Sequence, residues 1–310
     1  MQRFRRVLGP LWLLALPLAL FLGHPDALAQ RPGRIKARLP ALSTAAAAKK
    51  VRKSDKRIER FRQHYLAKAR SGAPVVSQKK QAREARFVRD ARVVNQRIKS
   101  NPDKRPVLII LEGPDGAGKS GTIRRLQHVF EGVGTMRQVH FGAPPKNERG
   151  HWLTSYKKEL PKKGEVMIWD RSYMGRVVYD PYYKMADKKL VKQRYGEIEK
   201  LEGELSSQVR IVKIYLDARG ERLAQTIGKR EAQAPEKLAE SDYRSFNDRK
   251  VIRQLFRRAI KNTGGKTPWH VVPMTNRADG RDAMLKILSV ELGAKSSAWS
   301  VAPSVWAYAA

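Results

Sequence analysis

The chain contains no cysteine, which excludes structural disulfides, thiolate metal sites and cysteine nucleophiles. Acidic residues are scarce: 29 Asp and Glu stand against 64 Lys and Arg, giving a formal net charge of +35 over 310 residues. Such an excess says nothing of fold, but it points to a polyanionic partner: nucleic acid, an anionic membrane surface or inorganic polyphosphate. Histidines are few, and His128, His140, His151 and His270 fall at no metal-ligand spacing, so they read as ordinary residues. No internal repeat is present. Hydrophobic residues at 41% and aromatics at 8% suffice for a packed core, in one large domain or two small ones.

The apolar run at the start, Leu8 to Gly23, is short for a transmembrane helix. It follows Arg3, Arg5 and Arg6 and precedes Ala27-Leu28-Ala29. A basic start, an apolar stretch and a small-residue site in that order describe a signal peptide over residues 1–29. The expectation is export, periplasmic or secreted, a mature chain from near Gln30, and no stable membrane span after signal removal. An uncleaved anchor or a misassigned start are the alternatives. The Arg5-Arg6 pair fits a twin-arginine signal poorly in its surroundings.

Residues 30–104 read as a basic linker followed by helices. Between 30 and 106, 24 Lys and Arg face 5 Asp and Glu, a net of +19. The Pro/Ala/Ser-rich stretch 31–48 is expected to be disordered. Ile58, Phe61 and Tyr65 recur at helical spacing, as do Phe87, Val94 and Ile98, predicting two basic helices ended by Asn101-Pro102-Asp103.

From Arg105 the pattern changes. Val107–Leu111 is a continuous aliphatic run suited to a parallel strand buried on both faces. Further strands are predicted over 138–141, 166–169, 209–216 and 270–273. Helices are predicted over 121–130, 152–159, 188–205, 222–229, 243–261 and 281–292. Alternating strands and helices give an α/β fold, a doubly wound parallel sheet over 105–295 with a helical lid near 228–249. The tail 296–310 shows no periodicity.

Gly113-Pro114-Asp115-Gly116-Ala117-Gly118-Lys119-Ser120 matches G-x-x-x-x-G-K-[ST] between a strand and a helix. In such a loop Gly113, Gly116, Ala117 and Gly118 leave the backbone N–H groups free to face a phosphate, which needs small side chains and freedom in φ. The helix beginning near Gly121 adds its positive end. Lys119 brings a mobile charge to the transferring group, and Ser120 can ligate Mg²⁺. The strand Glu165–Trp169 ends in Asp170, placed 51 residues after Lys119 to hold the metal or its waters. Arg171 and Arg176 follow, and guanidinium forks suit phosphate oxygens. Asp115 is unusual, because a carboxylate among phosphate-binding amides repels phosphate unless a metal or an acceptor group intervenes. It is therefore a candidate metal ligand or acceptor-orienting group. Lys229 and Arg230 open the polar stretch 228–249, which reads as a lid that excludes water.

Together these residues resemble the polyphosphate kinase 2 family. Leu111 to Lys119 resembles its first motif, including the aspartate four before the lysine. Glu148-Arg149-Gly150-His151-Trp152 resembles its E-R-G-x-W. Leu160-Pro161, Gly164-Glu165 and Asp170 to Arg176 resemble its second motif, and Thr267 to Val272 its closing P-W-x-V-V. The similarity covers roughly Arg83 to Leu292. It implies phosphoryl transfer between inorganic polyphosphate and nucleoside mono- or diphosphates with Mg²⁺. It assigns catalytic roles to Lys119, Asp115, Asp170, Arg171 and Arg230. The chain departs from the family pattern at Ser120, where glycine is usual, and at Tyr173-Met174-Gly175. Its lid segment is reduced to Pro235-Glu236-Lys237-Leu238 without tryptophan. A homo-oligomer that binds polyphosphate and a nucleotide, and no specific nucleic acid, is expected. The rival readings are an ATP-dependent nucleoside monophosphate kinase of thymidylate kinase type and an exported, non-catalytic polyanion-binding protein.

Overall fold

The computed structural model describes residues 56–71, 78–143 and 151–294. The signal peptide at 1–29, the linker at 31–48, the tail at 296–310 and Glu148-Arg149-Gly150 lie outside the described residues. Five strands, β1 (Val107–Glu112), β2 (Thr135–His140), β3 (Glu165–Asp170), β4 (Arg210–Asp217) and β5 (Trp269–Pro273), form one sheet in the order β2-β3-β1-β4-β5. Every pairing is parallel.

The two-residue period of a strand sorts the side chains into two cores. Val107, Ile109 and Leu111 of β1 join Val166, Ile168, Val212, Ile214 and Leu216 on one face. Leu108 and Ile110 join Met167, Trp169 and Tyr215 on the other. Burial on both faces explains why β1 reads as an unbroken aliphatic run. β2 is an edge strand with a mostly exposed, polar sequence, and it begins three residues before the predicted strand.

The helices are α1 (Lys56–Arg70), α2 (Gln78–Lys99), α3 (Lys119–Phe130), α4 (Thr154–Lys158), α5 (Met174–Tyr182), α6 (Lys188–Leu205), α7 (Gly220–Gln233), α8 (Glu240–Asn247), α9 (Arg249–Asn262) and α10 (Arg277–Leu292). None among the described residues is long and apolar enough to cross a membrane. The two basic N-terminal helices contribute to the first core: Ile58, Phe87, Ala91, Val94 and Ile98 are all buried in it. α1 crosses α7 at Gly228, where the Arg62 nitrogen and the Ile58 carbonyl lie 2.8 Å from the position a Cβ would take.

Two elements differ from the sequence expectation. The single helix predicted over 243–261 is two, turning at Asp248, whose carboxylate accepts the Tyr182 hydroxyl. α5 was not predicted at all. It is nine residues long and carries Pro181 in its last turn, so its periodicity is brief.

Candidate active site

The phosphate loop joins β1 to α3. Gly118 sits at φ 105° as the residue before the first helical turn, a conformation that L side chains rarely adopt. At Gly113 a Cβ would approach the Leu216 carbonyl to 2.8 Å, so the loop lies directly against the end of β4. Lys119, 8% exposed, folds back to donate to the Gly113 carbonyl at 2.7 Å and the Pro114 carbonyl at 3.3 Å. Burial, followed by the Arg171 charge, lowers its pKa, against the pull of Asp115, Asp170 and Glu112. Ser120 is exposed at the start of α3, with Gly121 half-buried beside it.

The parallel register brings the carboxyl ends of β1, β2 and β3 together. Asp170 stands opposite Leu111 on one side and His140 on the other. His140 Nδ1 lies 3.1 Å from Asp170 Oδ2, while Asp170 Oδ1 is buried without a hydrogen-bond partner. Burial pushes the Asp170 carboxyl up, but His140, Lys119 and Arg171 outweigh it and the net shift is downward. Arg171 follows at φ 70°, anchored by its N–H to the Leu111 carbonyl at 3.1 Å, and its guanidinium is bonded to Asp115. Asp115 likewise has burial outweighed, by Arg171, then Lys119, Arg230 and His140. Both aspartates are therefore ionised at neutral pH. Beneath them, buried Glu112 accepts the Ser172 hydroxyl at 2.8 Å, and burial raises its pKa to about 6.

Lys229 and Arg230, neighbours on α7, diverge. Arg230 donates to Asp242 at 2.7 Å, and its charge reaches Asp115. Lys229 lies over the Tyr65 ring at 6.0 Å on the opposite side. Arg176 is buried and pairs with Asp180 at 3.4 Å on its own helix. The structure thus gathers Asp115, Lys119, Asp170, Arg171 and Arg230 at one place and sets Arg176 and Lys229 apart from it.

Sequence reasoning missed two groups. The spacing of His140 in the sequence marks it as ordinary; only the β2–β3 register reveals it. The other is a cluster of arginines at the outer edge of the loop. Arg277 donates to the Thr226 hydroxyl at 3.4 Å, Thr226 donates to the Gly116 carbonyl at 3.3 Å, and Arg277 Nε lies 3.5 Å from where a Gly118 Cβ would stand. Arg222, Arg281 and Arg125 surround it. The Nε atoms of all four are buried without a partner. Glu84 is the carboxylate that Arg125 and Arg281 share, at 2.6 and 3.7 Å. Burial, then mutual repulsion led by Arg222 and by Arg125 respectively, pushes Arg277 and Arg281 down to about 10. The signal in the sequence was Arg277 and Arg281 one helical turn apart just after the last strand.

A five-stranded parallel sheet with helices on both faces and a phosphate loop after its central strand defines an α/β fold of the P-loop kinase class. The family described as Polyphosphate kinase 2 (PPK2) matches residues 76–298. The chain belongs to that family. It is 28% identical over 176 residues to the AMP/ADP-polyphosphate phosphotransferase of Meiothermus ruber, covering 54% of this chain and 64% of that protein. It is 28% identical over 201 residues to ADP-polyphosphate phosphotransferase 2 of Rhizobium meliloti, covering 61% of this chain and 64% of that one. The chain thus spans just under two-thirds of the length of these relatives. The crystal structure of polyphosphate kinase 2 from Arthrobacter aurescens TC1 shares the fold, with a TM-score of 0.58 at 23% identity over 69% of this chain and 80% of that one.

Proposed function

We propose that this protein moves phosphoryl groups between inorganic polyphosphate and nucleoside mono- or diphosphates. The observation that carries this reading is the arginine cluster against the outer edge of the phosphate loop. Half-buried like charges without enough acid to neutralise them are unfavourable in the empty protein, and a run of phosphates removes that penalty. A nucleoside triphosphate needs the loop and one or two cations. Arg277, Arg222, Arg281 and Arg125, continued outward by Lys229, Lys80 and Lys68, which repel one another, suit a longer polyanion.

The residues also suit Mg²⁺. Asp170 offers a buried, unpartnered carboxylate oxygen, Asp115 is ionised, and Ser120 is exposed at the loop's end. Mg²⁺ takes a few carboxylates and completes its shell with phosphate and water, which this pair suits. When bound, the ion would offset negative charge on the phosphates.

The chain's own residues do the rest. The loop amides from Gly116 to Gly121 and Lys119 hold the terminal phosphate of the chain. Arg171, bonded to Asp115, and Arg230, whose charge also reaches Asp115, supply cations for its equatorial oxygens, where charge spreads in a loose transition state. An oxygen of the acceptor's terminal phosphate attacks the end phosphorus. The bridging P–O bond breaks, and its electron pair leaves with the shortened chain. That attacking oxygen is already deprotonated at neutral pH, so no general base is required. The same groups serve the reverse transfer.

The test is turnover with AMP, ADP and GDP against polyphosphates of increasing length, in a salt series. The apparent affinity for long chains falls steeply with salt, as expected when many Lys and Arg displace counterions, and that for tripolyphosphate falls less. Turnover with ATP as donor and none with polyphosphate overturns the reading. We also assign residues 1–29 to an export signal, on the sequence alone. N-terminal sequencing of protein from its native host checks this, and an intact Met1 in a soluble cytoplasmic fraction contradicts it.

A further inference from the structure

Tyr173 stands between Arg171 and α5, and its side chain enters the core on the face of the sheet opposite α3. It is 1% exposed and packs edge-on against the Tyr156 and Trp169 rings. Its hydroxyl donates to Glu202, a buried carboxylate on α6. The same carboxylate accepts Lys213 of β4 at 2.6 Å and the Thr267 hydroxyl from the approach to β5. Lys213 is fully buried and also donates to the Thr263 carbonyl at the end of α9. The turn before α5 is thus tied to α6, β4, α9 and β5 through one buried ion pair.

A charge pair this far from water adds little stability over an apolar pair of the same volume. With three donors on one carboxylate, what it supplies is a fixed arrangement of the groups that meet there. Tyr173 is one of them, and it closes the short turn that carries Asp170 and Arg171. Arg171 occupies left-handed backbone at φ 70°, which a residue with a side chain leaves unless its flanks are pinned. Upstream, the Arg171 N–H is held by the Leu111 carbonyl at 3.1 Å. Downstream, the Ser172 hydroxyl reaches Glu112 at 2.8 Å and the Tyr173 hydroxyl reaches Glu202. Glu112 adjoins the phosphate loop itself, whereas Glu202 ties the turn to a core that does not move with the loop's contents.

We infer that Tyr173, through its hydroxyl on Glu202, is a positioning residue for phosphoryl transfer: it holds the Arg171 backbone left-handed and so keeps that guanidinium beside Asp115 and the loop. Tyr173 touches no reacting atom and acts through Arg171. This inference rests on the proposed transfer between polyphosphate and a nucleotide.

The experiment sets Tyr173→Phe, which removes the hydroxyl and keeps the ring, against Thr267→Val, which removes another donor from the same carboxylate but lies outside the Asp170–Tyr173 turn. With ADP and long polyphosphate, kcat in Tyr173→Phe falls about tenfold or more while both KM values stay within about twofold, because a displaced cation is missed chiefly in the transition state. Thr267→Val keeps kcat within about twofold. A second measurement reads the backbone without turnover. Glycine adopts φ 70° freely and alanine does not, so Arg171→Gly melts about 2–4 °C above Arg171→Ala. Adding Tyr173→Phe to each reduces that gap to about half or less, because the unpinned turn lets alanine relax; adding Thr267→Val leaves it. An unchanged kcat in Tyr173→Phe, an equal fall in Thr267→Val, or a melting gap that Tyr173→Phe leaves intact overturns the inference. If wild type does not turn over polyphosphate, the proposed function fails and the melting gap alone decides whether Tyr173 holds Arg171.

Discussion

Arg171 closes on Asp115 across the mouth of the phosphate loop, from a backbone held at φ 70°. A left-handed non-glycine residue costs about 1–2 kcal/mol, so the surrounding structure holds it there. Lys119 is likewise engaged with its own chain, donating to two loop carbonyls. Without substrate the site neutralises itself. On the proposed function, a phosphate at the loop takes over these cationic partners with its own oxygens and leaves Asp115 for the proposed metal ion.

Lys119→Ala removes catalysis and leaves the fold. The lysine hydrogen-bonds only to backbone carbonyls, and when it is removed Asp115 and Asp170 keep Arg171 and His140 as partners. Loss of a cation placed for the transition state raises the barrier by about 3 kcal/mol or more, at least a hundredfold in rate. The variant is to be compared by steady-state turnover and by circular dichroism. A rate within about tenfold of wild type defeats the phosphate-loop assignment.

Asp115→Asn and Asp170→Asn each raise the Mg²⁺ concentration needed for half-maximal turnover. The carboxylates differ in their resting partners, Arg171 for one and His140 for the other. Asp170→Asn keeps the hydrogen-bonding shape but removes the charge from the unpartnered Oδ1. A Mg²⁺ titration unchanged in both variants removes them from the metal site.

Much of this site was legible because it is local. The Val107–Leu111 run, the glycine spacing and Asp170 at a strand end each declare themselves within a few residues. What was not legible depends on distant pairings. Arg277 reaches the loop because β5 lies beside β4, which carries the start of α10 to Gly118. His140 joins Asp170 through register across 30 residues. The break at Asp248 accompanies a hydroxyl 66 residues away on α5. The basic helices read as a separate segment because their charge hides a narrow apolar stripe, Ile58 in one and Phe87, Ala91, Val94 and Ile98 in the other.

Glu112→Gln stabilises the protein at neutral pH. Burial raises the carboxyl from 4.5 to about 6 in the folded state. Between those values the native chain holds the proton more tightly than the unfolded chain, so stability falls as pH rises through that window. Above pH 6 the full penalty is present, on the order of 2 kcal/mol; below 4.5 it is absent. Glutamine keeps an oxygen for the Ser172 hydroxyl and carries no charge. Melting curves therefore separate from wild type above pH 6 and converge below 4.5. A separation that is independent of pH shows that the charge on Glu112 is not the cause.

Gly228→Ala separates the basic N-terminal helix from the core. A Cβ there meets the Arg62 nitrogen and the Ile58 carbonyl at 2.8 Å and the Phe61 Cβ at 2.9 Å. The first two are backbone atoms and cannot swing aside as a side chain tip does, so α1 has to move outward as a unit. Ile58, 1% exposed, loses its place in the first core, and Tyr65 shifts relative to Lys229. Overpacking of this kind costs about 1–3 kcal/mol. For a domain of this size that lowers Tm by about 2–4 °C per kcal/mol. Gly196, inside α6 with nothing within 4 Å of a Cβ, is the control. Gly196→Ala raises stability by about 0.5–1 kcal/mol, because it removes backbone freedom from the unfolded chain without a clash. α7 also carries Arg222, Thr226 and Arg230. Displacing α1 therefore weakens polyphosphate binding more in Gly228→Ala than in Gly196→Ala, read at a temperature where both variants are folded. If Gly228→Ala melts with wild type and binds long polyphosphate equally well, α1 is an ornament on the fold and contributes nothing to the site.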